Sequence, residues 1–303
     1  MSKVALPYLP RLRRIFHPSD FSLPSEIAFV HALKFALAAK AELNILHAAR
    51  DTERVDWTDF PGVRDTLKRW SVLPPGASEK DVARLGIRVR KVVIPHSDPI
   101  RASVRFLRKH PADLVVLATS RRIDRTREER SPVAEPIARA AGEMTLFIPH
   151  GVDGFVARED GSVGLHRILM AVARDSGPAV AFEAVRRICA AIGATAVRCI
   201  ALHVGDAAHA PELDFPEIEG WTRERIVTRG PVVPKILETA AEVRADLLVM
   251  TTAGRDGFLD AMRGSTTEQV LREAPCPLLA IPRRFAGEAP RGLRGALQKA
   301  FNA

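Results

Sequence analysis

The residues best suited to chemistry lie in a glycine-rich loop between a predicted apolar strand and a predicted helix. Gly254, Gly257 and Gly264 permit tight turns and a close approach of the backbone to a ligand. Ser265 and Thr266 then open the helix, where free N–H groups and hydroxyls at its positive end favour an anion. The segment from Gly254 to Ser265, the glycine loop, indicates a di- or triphosphate site. The same residues are also typical of simple turn glycines and an ordinary N-cap at Ser265.

Charged residues of the glycine loop can support a phosphate site. Arg255 and Arg263 can form charge-assisted contacts with phosphate oxygens. Asp256 and Asp260 can position Mg²⁺ on a bound phosphate, or they can cap turns of the loop. The Walker and dinucleotide-binding glycine motifs are both missing, and no nucleophile or general base is identifiable. We therefore expect a sensed ligand and not rapid turnover, while slow hydrolysis of the bound phosphate stays open.

The elements that position this loop belong to an internal repeat. The segment ADLVVLATSRR recurs as ADLLVMTTAGR, and its aspartates Asp113 and Asp246 lie 246 − 113 = 133 residues apart. The same offset holds without a gap over residues 112–149. Strands and helices alternate in both copies, which predicts an α/β fold of two tandem, five-stranded, parallel, doubly wound domains. Ligands of such sheets bind at the carboxyl ends of the strands.

The repeat suggests a division of the chain into four parts. We expect a first domain at 1–150, a linker at 151–164, a second domain at 165–284 and a basic tail at 285–303. The first domain carries a long insert, residues 51–86, with one predicted helix at 63–70. The corresponding loop of the second domain, 205–220, is rich in proline and is expected to have lost that helix.

The first domain lacks the glycine loop. By the offset of 133, the three loop glycines correspond to Arg121, Asp124 and Ser131, so this loop contains no glycine. Side chains at these positions would obstruct a phosphate, which predicts that the first domain is degenerate for nucleotide. The arginines between Arg121 and Arg130 form a solvated loop or a surface for an anion or partner.

These motifs resemble the universal stress proteins in their tandem two-domain form. The family pattern is Gly, two residues, Gly, usually nine residues, then Gly-Ser/Thr, a helix and an APCPVLVV-like last strand. This chain follows it through the glycine loop to EAPCPLLAIP at 273–282, and RIFHPSDFS at 14–22 looks like the family's first strand. The resemblance implies a five-stranded sheet per domain, dimer-like packing of domains through the last strands, and ATP or another adenine nucleotide in nucleotide-binding members.

The chain departs from the family pattern in two ways. Six residues, and not nine, separate Gly257 from Gly264. The family's aspartate near adenine and ribose matches Asp20 in the first domain, whereas the second domain has Ala173 there and Asp175 two residues later. The resemblance therefore places the adenosine of a nucleotide near Ala173, Asp175 and Val204 of the second domain, with the phosphates on the glycine loop.

Two competing functions stay open. In one, the protein is a nucleotide-free dimeric scaffold that acts through an unknown protein partner, as a homodimer or as an intramolecular pair of domains. In the other, it is a metal- or anion-responsive binder that uses His203, Asp206 and His209, although His47 at the equivalent strand end favours a structural role for His203.

Composition limits the partners. The 303 residues include 45 Lys+Arg and 36 Asp+Glu, a net charge of +9, yet aromatic residues make up 6% and no nucleic-acid motif occurs. No apolar run approaches a membrane helix or a signal peptide, so we expect a cytoplasmic protein that binds neither nucleic acid nor membrane. The apolar stripe Leu293, Leu297 and Phe301 in the tail favours docking on protein. The three scattered cysteines are expected to be buried.

Overall fold

The computed structural model describes residues 11–50, 54–119, 133–213, 215–252 and 266–282. Its strands are Arg14–Pro18 (β1), Glu42–Ala49 (β2), Arg88–Pro95 (β3), Leu114–Ala118 (β4), Thr145–Ile148 (β5), Arg167–Ala171 (β6), Val197–Val204 (β7), Trp221–Thr228 (β8), Leu247–Thr252 (β9) and Leu278–Pro282 (β10). Its α-helices are Leu23–Ala39 (α1), Val63–Arg69 (α2), Glu79–Arg84 (α3), Pro99–Lys109 (α4), Ala134–Ala141 (α5), Pro178–Ile192 (α6), Val232–Glu242 (α7) and Thr266–Glu273 (α8).

The ten strands form one sheet in the order β3-β2-β1-β4-β5-β10-β9-β6-β7-β8. Neighbouring strands are parallel within each group of five, while β5 and β10 pair antiparallel through Leu146 and Leu279 and their neighbours. The predicted fold class of two tandem, five-stranded parallel units is confirmed. Because β5 and β10 are antiparallel, the carboxyl ends of the strands in the two units lie at opposite edges of the sheet.

An aspartate at the start of the fourth strand anchors the first strand in each half. Asp113 Oδ2 accepts the backbone N–H groups of Arg13 and Arg14, both at 2.8 Å. Asp246 Oδ2 accepts those of His166 at 2.9 Å and Arg167 at 2.8 Å. The two halves therefore repeat this pattern of hydrogen bonds as well as the aspartate that accepts them.

Apolar strands are covered by helices on both faces, as parallel strands require. One core contains α1, α6 and the insert helices, and the other contains α4, α5, α7 and α8. Ser22 caps the N-terminus of α1, where its Oγ accepts a hydrogen bond from Ser25 N at 3.3 Å. Lys40 caps the C-terminus in a left-handed conformation, with a φ of 52°. Helices α1 and α6 meet across the junction of the two halves.

The insert of the first half contains two helices, of which the sequence predicted only α2. Helix α3 begins with a capping box in which Ser78 N and Oγ each lie 2.8 Å from Asp81 Oδ2. At six residues it is too short to show a helical pattern of apolar residues. In the second half, the described part of 205–220 contains only a 3-10 turn at Ala207–His209.

The segment between the halves packs on α1 through a buried histidine. His31 Nδ1 lies 2.8 Å from Ile27 O, a carbonyl that can only accept, so Nδ1 carries the proton. His31 Nε2 then accepts the N–H groups of Phe155 at 3.0 Å and Val156 at 3.2 Å. Burial lowers the pKa of His31 from 6.5 to about 4. The neutral ring is the form that holds the connecting segment.

The stability contribution of His31 should depend on pH in a defined direction. Because its folded pKa lies below its unfolded value of 6.5, this contribution is fully present above pH 6.5 and is lost as the pH falls toward 4. Gln at this position keeps an acceptor but cannot titrate. Between pH 7 and about pH 5, the free energy of unfolding of His31→Gln should fall by about 2 kcal/mol less than that of the parent protein.

Urea denaturation at the two pH values measures this difference. His17, whose pKa burial also lowers to about 4, is present in both proteins and serves as an internal control. An equal fall in both proteins would contradict the role assigned to His31.

Candidate functional site

In each half of the sheet, the second and third strands lie on one side of the first strand, and the fourth and fifth strands lie on the other side. This change of side is the topological switch point. In the second half the crevice lies between β6 and β9, and in the first half between β1 and β4. Ligands of parallel sheets bind at such switch points, beyond the carboxyl ends of the strands. Because β5 and β10 are antiparallel, the two crevices open at opposite edges. Asp20 and the glycine loop thus belong to separate crevices and cannot form one composite site.

The glycine loop connects two elements that border the second crevice. Strand β9 ends at Thr252 and α8 begins at Thr266, which is exposed in its first turn. Five of the predicted phosphate-binding residues lie outside the described residues: Gly254, Arg255, Gly257, Gly264 and Ser265. The predicted strand before the loop and the predicted helix after it are both confirmed. Thr251 Oγ1 is buried at the end of β9 and has no hydrogen-bond partner among the described residues.

The end of β6 forms a tight turn closed by a serine. Ser176 Oγ accepts from Ala173 N at 2.9 Å and donates to Ala173 O at 2.8 Å. The 3-10 turn Arg174–Ser176 follows Ala173 and includes Asp175, whose side chain lies outside the description. That Asp175 replaces the family aspartate stays a prediction. Val204 ends the neighbouring strand β7 at the same edge, so the structure brings Ala173 and Val204 together.

Two histidines occupy equivalent strand ends and make equivalent hydrogen bonds. His47 Nδ1 donates to Ser19 O at 2.8 Å, and His203 Nδ1 donates to Val172 O at 3.1 Å. The other ring nitrogen of a neutral His203, Nε2, is an acceptor. It is buried and has no partner among the described residues. Sequence reasoning ranked His203 as structural, and its first hydrogen bond fits that interpretation.

The structure does not assemble the residues suggested for a metal. Asp206 Oδ1 caps a turn by accepting Ala208 N at 3.0 Å, and Asp206 Oδ2 lies 2.9 Å from the Arg229 guanidinium. His209 is exposed, whereas His203 is buried. No group of three potential ligands occurs in the part of the chain that is described. Asp256 and Asp260 lie outside that part, as do Arg263 and the charged loop from Arg121 to Arg130.

The first half contains a cavity of about 550 Å³ at its own switch point. Its walls come from the carboxyl ends of β1, β2 and β4 and from the facing sides of α1, α4 and α5. Asp20 stands at the wall, where its Oδ1 accepts Ser22 N at 3.1 Å and Ser22 Oγ at 2.5 Å. The glycine pattern of the sequence gives no indication of this cavity. The available signal was a set of serines near the strand ends and on α4.

Comparisons with known proteins identify relatives of the whole fold. A family model described as "Universal stress protein family" matches residues 11–149 and 216–282. A universal stress protein of Methanocaldococcus jannaschii is 39% identical over 52 residues, which are 17% of this chain and 31% of that protein. The chain thus matches less than a third of the length of that relative.

Solved structures give the same result for the fold. A universal stress protein from Archaeoglobus fulgidus has a TM-score of 0.56 and 19% identity, covering 89% of this chain and 98% of its own. A protein from Pseudomonas aeruginosa described as a universal stress protein has a TM-score of 0.59 and 16% identity, covering 91% and 95%. A universal stress protein solved in complex with cAMP covers 46% of this chain and 98% of its own, at 21% identity and a TM-score of 0.28. None of the described helices has the length and apolar character that a membrane crossing requires.

The three cysteines lie in the buried cores of the protein. Cys189, Cys199 and Cys276 are buried free thiols, as the sequence predicted. Burial raises the pKa of each thiol to about 12, so the reactive thiolate is scarce at neutral pH.

A thiol reagent should therefore distinguish the folded from the unfolded chain. We expect the native protein to remain unlabelled by a disulfide reagent at mildly alkaline pH, while all three cysteines react in denaturant. Mass spectrometry of the labelled protein counts the modified thiols. Rapid labelling of any cysteine in the native protein would show that its burial is not as described.

Proposed function

Since the chain belongs to the universal stress protein family, we propose that it is a stress-response protein that binds ATP or another adenine nucleotide in its second half. The nucleotide would act as a sensed or regulatory ligand. The observation that carries this proposal is the placement of the two elements that flank the glycine loop, because β9 ends beside the switch point of the second half and α8 begins at Thr266 after the loop. A loop of glycines that leads into a helix N-terminus favours phosphate groups there.

The proposal assigns the phosphates to one side of the crevice and the adenosine to the other. The phosphates lie on Gly254, Gly257 and Gly264 and on Ser265 and Thr266 at the start of α8. Arg255 adds a charge-assisted contact, and Mg²⁺ can bridge the phosphates to an acid of the loop.

The adenosine lies near Ala173, Asp175 and Val204. Two buried polar atoms at this edge, Thr251 Oγ1 and His203 Nε2, lack partners among the described residues, and a ligand or the loop itself can satisfy them. We assign the nucleotide a regulatory role because no general base is identifiable in the sequence, and slow hydrolysis stays open.

Titration calorimetry with ATP tests the proposal. Gly264→Glu places a bulky negative charge where phosphate should bind, so the affinity for ATP should fall by more than about tenfold. Ser131→Glu makes the equivalent change in the first half and serves as the matched control. It should leave the affinity unchanged.

The possible outcomes separate the competing functions. Saturable binding that only Gly264→Glu removes supports the proposal, and cAMP as a second probe reports whether a triphosphate is required. No binding of ATP in the millimolar range would favour a nucleotide-free scaffold that acts through a partner. Loss of ATP binding in Ser131→Glu, with binding retained in Gly264→Glu, would indicate that the nucleotide binds in the first half. Thermal unfolding of each variant shows whether it is folded.

A further inference from the structure

We propose that the segment after β10, residues 283–291, packs into a cavity between the two halves of the molecule and places the carboxylate of Glu288 among the arginines of the cavity wall. The cavity has a volume of about 440 Å³. Its walls come from residues just before β1, β4 and β5, from the end of α1 and from one side of α6. This inference does not depend on nucleotide binding, because none of these wall residues belongs to the nucleotide site proposed above.

The duplicated fold identifies the equivalent of this cavity on α1. The registers of β1 on β4 and of β6 on β9 equate residue 15 with residue 168, an offset of 153. The left-handed caps that end α1 and α6, Lys40 and Gly193, have the same offset, so the two helices correspond residue by residue. Three residues of the cavity wall on α6 therefore have counterparts on α1. The pairs are Ala184 with His31, Arg187 with Lys34 and Ile188 with Phe35.

On α1, the equivalent place is filled by the segment that connects the two halves, residues 150–165. The centroid of the Phe155 ring lies 4.7 Å from that of the His31 ring and 6.3 Å from that of the Phe35 ring. Phe155 is buried, and its carbonyl oxygen accepts a hydrogen bond from Gly164 N at 2.8 Å. The cavity on α6 is thus the counterpart of a site that the chain itself occupies on α1.

The chain leaves β10 at this cavity. Strands β5 and β10 pair symmetrically about Leu146 and Leu279, so residues after β10 leave the sheet as the connecting segment leaves β5. Continuing the register places Ile281 beside Met144, which is a residue of the cavity wall. The described part of the chain therefore ends at Pro282 beside the cavity, and residue 283 is the next to follow.

The two segments share a glycine where the path of the connecting segment requires one. Gly154 has a φ of 79°, and a Cβ atom at this position would collide with the His31 ring. The offset of 133 that relates β5 to β10 equates Gly154 with Gly287, and it also equates Arg158 with Arg291. Residues 283–291 therefore have the sequence needed to follow the path of residues 150–158.

The residue that enters the site differs between the two segments, and the walls differ with it. The counterpart of Phe155 is Glu288. Two uncharged positions on the α1 side correspond to arginines of the cavity wall. The pairs are Gly164 with Arg11 and Leu33 with Arg186. A phenyl ring on α1 is thus matched by neutral residues, whereas a carboxylate on α6 would be matched by guanidinium groups.

The charges around the cavity favour one further carboxylate. Buried Glu183 accepts Arg186 Nε at 2.7 Å and Arg187 Nε at 2.5 Å. With Arg11 and Asp113, the described residues of this group carry three positive and two negative charges, a net charge of +1. Glu288 is the only acidic residue in the sequence from 283 to 303, and its carboxylate would bring this charge to zero.

Hydrogen–deuterium exchange of the full chain without nucleotide tests the proposal. After correction for intrinsic rates, a peptide covering 283–291 should exchange at least about tenfold more slowly than one covering 292–302, because packing protects backbone N–H groups. Glu288→Arg should remove this protection, since it places a cation among arginines. Glu159→Arg makes the same chemical change at an exposed residue of the connecting segment and serves as the matched control. It should leave the exchange of 283–291 unchanged.

A charge exchange locates the contact. Arg11→Glu alone should also speed exchange in 283–291, whereas Arg11→Glu combined with Glu288→Arg should restore the protection, because opposite charges then face each other again. Arg11 is exposed, so its substitution should leave the cores intact. Thermal unfolding of each variant checks that it is folded.

Three results would overturn this assignment. Equal exchange of 283–291 and 292–302 in the parent protein would show that the segment is not packed on the molecule. Unchanged protection in Glu288→Arg would place the segment elsewhere. Protection that increases with protein concentration would assign the cavity to the same segment of a second copy.

Discussion

The antiparallel pairing of β5 with β10 is the constraint on which the rest of the structure depends. It joins two parallel five-stranded units into one sheet and orients them in opposite directions. Each unit therefore keeps its own switch point at its own edge. The buried strands, the paired helices α1 and α6 and the connecting segment held by His31 all stabilise this arrangement.

Separation of the two edges allows the two copies to diverge. The second half keeps a glycine loop but has Ala173 where the first half has Asp20. The first half lacks the glycines, but its crevice is lined by serines where the second half has apolar residues or glycine. A polyphosphate ligand suits the glycine loop of the second half. The repeat is thus symmetric in its framework, as Asp113 and Asp246 show, and asymmetric at its crevices.

Much of the framework could be predicted because it depends on local and periodic signals. The spacing of apolar residues predicts a helix at 178–192, and a run of apolar residues predicts a strand at 114–118; these are the observed bounds of α6 and β4. Helix α3 and the role of His31 could not be predicted, because a six-residue helix and a single histidine leave no pattern. The cavity at the switch point of the first half depends on which faces of α1 and α4 meet, and only the packing of the fold reveals that. For the glycine loop, sequence supplies the residues and the described structure supplies only the elements on either side.

The measurement that tests the central claim most directly is hydrogen–deuterium exchange with and without ATP. Binding in the second half predicts slower exchange in peptides covering residues 253–265 and 173–176, with peptides covering 97–103 and 120–132 unchanged. Slower exchange confined to the first-half peptides, or no change in either set at saturating ATP, would contradict the account.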